Sequence, residues 1–242
     1  PGDDNGLSDP FVAVSWANAG SKTGIKKETL NPTYNEALFI ESTVKDPLPD
    51  VVIELWDWDL FGSDTFLCKS YISLASIRNN KPFWVKKFTN SFGKLEETTE
   101  VLIAVMLEPA TDERRAALKQ IKKVPMLQQR DSPKTYKGYP IPASHQLAMA
   151  QYSFDCKLFS LRQMRKFRLR DITSPLIEFE CYTNVTKTDR RQGKNADFDA
   201  ELNWVLTLPA NENFLPYLNI YCYDHRLGLR VLVGIAQVNL SD

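Results

Sequence analysis

A chain of 242 residues is too long for one small sandwich of strands and long enough for two domains of ordinary size, each burying its own core. Its hydrophobic content of 43% is that of a globular protein, and its longest apolar runs are strand-length, as at 101–107, so no segment is expected to span a membrane. The formal net charge is zero, yet residues 1–110 hold 10 Lys+Arg against 16 Asp+Glu while residues 111–242 hold 20 against 14, which suits a cation site in the first half and contact with anionic surfaces from the second, or attraction between the halves.

In chain order, strand-like runs separated by Gly, Pro and Asn signals are expected at Phe11 to Trp16, Ser21 to Lys27, Ala37 to Glu41, Val51 to Trp58, Phe66 to Leu74, Phe83 to Phe88 and Val101 to Leu107. Seven short strands at this spacing predict an antiparallel sandwich. Thr111 to Lys123 is rich in Ala, Leu, Lys, Arg and Glu, with Thr111 placed to cap, and predicts a short helix. Four prolines, Pro125, Pro133, Pro140 and Pro142, then suggest an extended tether. A second strand-rich region opens with Tyr152 to Leu161, continues with Leu176 to Tyr182 and includes the alternating run Leu218 to Asp224. It reads as a distant repeat of the first.

The acidic residues fall at the ends of these strands. Val51, Ile53 and Leu55 alternate, and every second side chain of a strand shares a face. Asp57 and Asp59 continue that phase, so a core-facing row runs into two carboxylates, with Asp64 beyond the turn Leu60-Phe61-Gly62-Ser63. Asp3 and Asp9 flank another loop, just before the strand at Phe11. Gathered carboxylates raise one another's pKa unless a cation joins them, and calcium takes six to eight oxygens at flexible geometry. Aspartates beside Gly, Ser or Pro also cap turns and face water, which is the alternative reading.

The tracts Asp9-Pro10-Phe11, Asn31-Pro32-Thr33-Tyr34-Asn35-Glu36 and Glu54-Leu55-Trp56-Asp57-Trp58-Asp59 together resemble the signature of the C2 domain family. That resemblance implies a β-sandwich in which two loops hold calcium and press against phospholipid. It implies Asp3, Asp9, Asp57 and Asp59 as ligands by position, with Asp64 as the fifth. The family's fifth aspartate would fall at Thr65, one place later, so weak or partial calcium binding is the other outcome. In the second region, Leu208-Pro209 through Asn213-Phe214-Leu215-Pro216, Asp224-His225-Arg226 and Val233-Gly234 are similar to C2 domains of the ferlin family. There Ser174 stands in place of Asp9 and Arg226 in place of Asp59, and a guanidinium repels a dication. Calcium is therefore expected in the first domain only.

The expected fold is all-β: two antiparallel C2-like β-sandwiches of the eight-stranded type, each lacking one terminal strand, at 1–110 and 143–242, joined by the helix and Pro-rich linker at 111–142. Because the chain opens inside the Asp-rich loop without Met, it reads as an interior segment of a larger protein. Lipid contact is assigned to Leu60 and Phe61 at the tip of the calcium loop, to Lys26 and Lys27 before the Asn31-Pro32 turn, and to the basic stretch containing Arg165, Lys166 and Arg168. That stretch is alternatively a solvated edge that deters strand pairing. Cys68, Cys156, Cys181 and Cys222 lie in no metal-binding spacing and read as reduced thiols of an intracellular chain, peripheral at a membrane. No catalysis is expected, since only two histidines are present, His225 points away from Asp224, and no phosphate-cradling or nucleophile motif occurs. The functional expectation is calcium-dependent binding to anionic phospholipid in vesicle traffic or fusion; the alternative is a calcium-independent scaffold that binds proteins. Nucleic acid is not an expected partner.

Overall fold

The computed structural model describes residues 6–45, 47–77, 81–121, 139–141 and 146–241. Ser8–Gln146 form one compact unit, and Leu147 onward form another, which also takes Gly6 and Leu7.

In the first unit, the described residues before the helix form nine short strands: β1 (Pro10–Trp16), β2 (Ala19–Lys22), β3 (Glu36–Ala37), β4 (Val51–Asp57), β5 (Thr65–Ile72), β6 (Phe83–Val85), β7 (Phe88–Thr89), β8 (Leu95–Glu96) and β9 (Val101–Ile103). One antiparallel sheet runs in the order β2-β1-β4-β5-β7-β8, and β6 pairs with β9. Alternation along β4 buries Val51, Ile53 and Asp57, and the first two join Val12, Cys68, Ile72, Val85 and Phe88 in the core. Helix α1 (Asp112–Ile121) follows, its first turn capped by Thr111, whose hydroxyl accepts the Arg114 N–H at 3.2 Å. Arg115 ties this helix to Glu41 at 2.7 Å.

Several elements are shorter than expected. Strand β2 stops at Lys22 because Thr23 keeps only half of its ladder pair: its N–H donates to the Val12 carbonyl at 2.9 Å, but its hydroxyl takes the Val12 N–H at 2.9 Å and donates to the Gly24 carbonyl at 3.0 Å. Of the expected strand Ala37 to Glu41 only Ala37 pairs, together with Glu36 before it, and their partner is distant in sequence, β10 (Tyr139–Pro140). The end of the expected tether thus returns to the first unit, where the Tyr139 ring meets Phe39 with centroids 5.5 Å apart. Residues 122–138 and 142–145, which hold the end of the expected helix, most of the tether and the start of the expected second domain, lie outside the described residues.

The second unit comprises β11 (Met149–Ser160), β12 (Pro175–Cys181), β13 (Asn184–Lys187), β14 (Asp197–Pro209), β15 (Leu218–Arg226) and β16 (Leu229–Val238). Its sheets are β13-β12-β15-β16 and β11-β14, all antiparallel. Alternate residues of β14, Phe198, Leu202 and Leu206, face a core shared with Ile177, Phe179, Cys181 and Leu218. Among the described residues the chain is therefore all-β apart from α1 and two single-turn helices, as two antiparallel sandwich-type units. None of the described helices is long and apolar enough to cross a membrane.

Candidate functional site

The antiparallel pairing of β1 with β4 sets Pro10 opposite Asp57, which brings the Asp9 step to the end of β4. Proline has no N–H to give the ladder. The N–H of Asp9 instead donates to Asp57 Oδ1 at 2.6 Å, and the N–H of Trp58 donates to the Asp9 carbonyl at 3.0 Å. Asp57 is 1% exposed, and its other oxygen, Oδ2, is buried with no hydrogen-bond partner among the described residues. A buried carboxylate oxygen without a donor is costly, by several kcal/mol for the group, and calls for a cation or a proton.

Asp9 is shared between two donors. Its Oδ1 accepts the Glu28 N–H at 2.8 Å, and its Oδ2 accepts from Lys27 Nζ at 2.6 Å. The same ammonium lies 3.5 Å from the centre of the Trp58 ring. Asp59 sits beyond Trp58, and its Oδ2 accepts the Thr65 hydroxyl at 2.8 Å. Thr65, the departure from the family pattern, is thus a neutral donor to a candidate ligand. Asp64 is half-buried in the β4–β5 connection, and Asp3 lies outside the described residues. Among the described residues no three Asp, Glu, His or Cys side chains come together closely enough to hold a metal. Among the described residues the structure joins Asp9 to Asp57, and Asp59 to Thr65, without gathering Asp9, Asp57, Asp59 and Asp64 into one cluster.

The second unit repeats this scaffold with different charges. Pro175 faces Asp224 across β12 and β15, the Ser174 N–H donates to Asp224 Oδ1 at 2.8 Å, and the His225 N–H donates to the Ser174 carbonyl at 3.0 Å. The side arms also match: Thr188 accepts the Ile177 N–H at 3.0 Å as Thr23 accepts that of Val12, and the ladder slips between Cys222 and Tyr223 as it does between Leu55 and Trp56. Asp224 is fully buried but satisfied, since the Thr173 N–H adds a bond at 3.1 Å and Arg226 Nε donates to Oδ2 at 2.6 Å.

The residues assigned to lipid divide in two. Phe61 is 89% exposed, Leu60 is exposed beside it, and Arg165, Lys166 and Arg168 are all exposed. Lys166 lies 3.8 Å from Asp171. Lys26 and Lys27 are engaged: Lys26 is half-buried near the Tyr34 ring, with a pKa lowered by desolvation against the pull of Glu36, and Lys27 is held by Asp9. Two exposed leucines are not among the expected site residues. Phe167 and Arg170 exchange both backbone hydrogen bonds around Arg168 and Leu169, whose φ values of 49° and 62° define a tight hairpin tip. Leu169 is 94% exposed there, and Leu227, at φ 48° before Gly228, is 97% exposed on the β15–β16 tip. Arg226 Nη1 donates to the Phe167 carbonyl at 3.4 Å and links the two tips. Positive φ favours Gly, Asn or Asp, so neither leucine is recognisable as a turn residue from sequence.

Comparison with known proteins places these observations. Residues 1–83 match the family model for the C2 domain. The chain is 25% identical to myoferlin of Xenopus tropicalis over 255 residues and 24% identical to that of Homo sapiens over 260, covering 97% and 99% of its own length and 12% of each relative. Over 82 residues, 34% of this chain and 10% of the relative, it is 34% identical to RasGAP-activating-like protein 1 of Homo sapiens. Among solved structures, the paired C2 domains, A and B, of extended synaptotagmin 2 cover 100% of this chain, and the chain covers 74% of theirs, at 19% identity and a TM-score of 0.33. The chain thus spans about an eighth of the curated myoferlins it matches. Its N-terminal third is similar to the C2 domain family, and nearly its whole length is similar to myoferlin.

Proposed function

We propose that the chain is a membrane-docking segment of a larger trafficking or fusion protein, built from two C2-like domains at 1–110 and 143–242 with a helix and linker at 111–142. The first domain binds calcium through Asp9, Asp57 and Asp59, with Asp3 and Asp64 as further ligands, and presents Leu60 and Phe61 to the lipid headgroups. The observation that carries this reading is Asp57 Oδ2, a fully buried carboxylate oxygen without a donor at the end of a strand whose neighbours are carboxylates. The donor set is all oxygen, as a hard cation requires. Bound calcium would neutralise these carboxylates and bridge them to lipid phosphate.

The second domain takes no calcium, because Arg226 already neutralises Asp224 at 2.6 Å. Its contribution is docking of the exposed Arg165, Lys166 and Arg168 on an anionic, peripheral membrane surface, with Leu169 and Leu227 entering the interface. No catalytic step is part of this reading. A second reading, a calcium-independent protein-binding scaffold, is favoured by Lys27 on Asp9 and by the absence of a three-ligand cluster among the described residues.

Calorimetric titration with calcium separates the two, with Asp57→Asn/Asp59→Asn as the paired control. Heat that the control abolishes, followed by calcium-dependent sedimentation with phosphatidylserine liposomes, supports the first reading. Silence up to about millimolar calcium, the weak end of protein sites, leaves the scaffold.

A further inference from the structure

We infer that Lys27 is a tethered cation that competes with calcium for Asp9, so that calcium must displace it and binds more weakly than the carboxylates alone would allow. This inference rests on the calcium reading above and concerns the residue that sets its affinity.

Lys27 Nζ lies 2.6 Å from Asp9 Oδ2 and 3.5 Å from the centre of the Trp58 ring. Trp58 is the residue between Asp57 and Asp59, so the ammonium reaches from one candidate loop to the other. The other oxygen of Asp9 is bonded to the neutral Glu28 N–H, which leaves lone pairs for a metal. An ammonium cannot stay in the same way. Like charges repel as the inverse of their distance, and a dication at Asp9 would face a unit charge within hydrogen-bond reach of the shared carboxylate.

The competition is reversible because Lys27 is 41% exposed and its long side chain can swing into water. The second unit carries a more fixed cation on the other carboxylate of the scaffold, Asp224, which stands where the first unit has Asp57. Arg226 sits 2.6 Å from Asp224 with its side chain 14% exposed, and its Nη1 also holds the Phe167 carbonyl. One unit therefore carries a removable counter-cation and the other a permanent one.

A half-exposed ion pair together with a cation–π contact corresponds to about a tenfold loss of calcium affinity. The test is calorimetric titration of the full chain with calcium for the wild type, Lys27→Gln and Lys27→Arg, with melting of each variant without calcium as the folding control. Tryptophan emission, taken as the difference between the wild type and Trp58→Phe, supplies a second readout. Lys27→Gln should lower the Kd about tenfold and Lys27→Arg should leave it within about twofold. Calcium should also change the Trp58 component of emission in the wild type and not in Lys27→Gln. Equal affinities of wild type and Lys27→Gln, with calcium heat intact, overturn the competition and leave the calcium site standing. No heat from either up to about 10 mM calcium, well past the range of protein sites, overturns both.

Discussion

Replacing Arg226 by Met tests whether the second unit has exchanged a metal for an internal cation. The substitution keeps an unbranched side chain of similar reach and removes the donor at 2.6 Å from a fully buried carboxylate. At that distance and an effective dielectric near 20 the lost attraction is about 6 kcal/mol before desolvation is counted. Two terms reduce the net cost. Asp224 keeps the N–H groups of Thr173 and Ser174, and the guanidinium itself holds Nη2 buried without a partner, a penalty that disappears with it. Removing one member of a buried pair costs about 3–5 kcal/mol, so the lower end, about 3 kcal/mol, is expected here. Two units in one chain make a single midpoint ambiguous, and hydrogen exchange resolved to β12 and β15 reads the effect locally. Their slowest amides should exchange about a hundredfold faster. Adding Asp224→Asn should recover much of this loss, because the amide oxygen still accepts from residues 173 and 174 while the uncompensated charge is gone. An effect below about threefold in the single variant, or a double variant worse than the single, would refute the internal-cation account.

At the first unit's loop tip, Phe61→Ser should leave stability within about 0.5 kcal/mol, since the ring is 89% exposed, while weakening calcium-dependent liposome sedimentation about tenfold. Unchanged sedimentation would return Phe61 to the solvated surface. Leu169→Gly should act in opposite directions on two assays: relief of the φ 62° strain should stabilise the second unit by about 0.5–1 kcal/mol, and loss of the apolar tip should weaken binding to phosphatidylserine liposomes in EDTA. Loss of stability would show that the tip is built for the leucine and is not strained. Burial, with Glu96, Glu180 and Asp224 as respective lesser contributors, pushes the thiols of Cys68, Cys181 and Cys222 up to about 11. At pH 8 only roughly a thousandth of each is thiolate even if reagent reaches it, so iodoacetamide should spare them until denaturant is added. Labelling of the folded chain at the rate of the denatured control, read by peptide mass, contradicts this.

The parts of this structure legible in the sequence are those governed by period and by local chemistry. Along β4 the alternation through Val51 and Ile53 places Asp57 on the buried face, and Asp57 is 1% exposed. The departures at Ser174 and Arg226 from the first unit's aspartates are also readable in the sequence, and the structure sets Arg226 on Asp224 at 2.6 Å. Strand β14 carries an alternation as strict as that of β4, but its outward positions Asp197, Asp199, Glu201 and Asn203 are residue types depleted in strands, which disguises it. What no period reveals is pairing across loops. Lys27 finds Asp9 at a separation of 18 residues, and Tyr139 finds Ala37 from beyond the helix. Both contacts are made by the tertiary fold, and Lys27 consequently serves the carboxylate where its sequence context suggests a surface patch.

The two units separate scaffold from charge. Each places a proline at the start of a strand opposite a buried aspartate, and each uses the N–H of the preceding residue to hold that carboxylate, at 2.6 Å from Asp9 and 2.8 Å from Ser174. In both, a backbone donor holds one oxygen of the aspartate beside a proline that gives the ladder no N–H. What differs between them is the set of side chains around that aspartate. With Arg226 only 14% exposed beside Asp224, the second unit has its positive charge covalently supplied and constant. With Lys27 exposed on Asp9, and Asp57 Oδ2 still without a donor, the first unit retains a charge imbalance that a small dication would relieve. A calcium response in such a chain would then depend on how readily one lysine gives way, rather than on whether the loops fold.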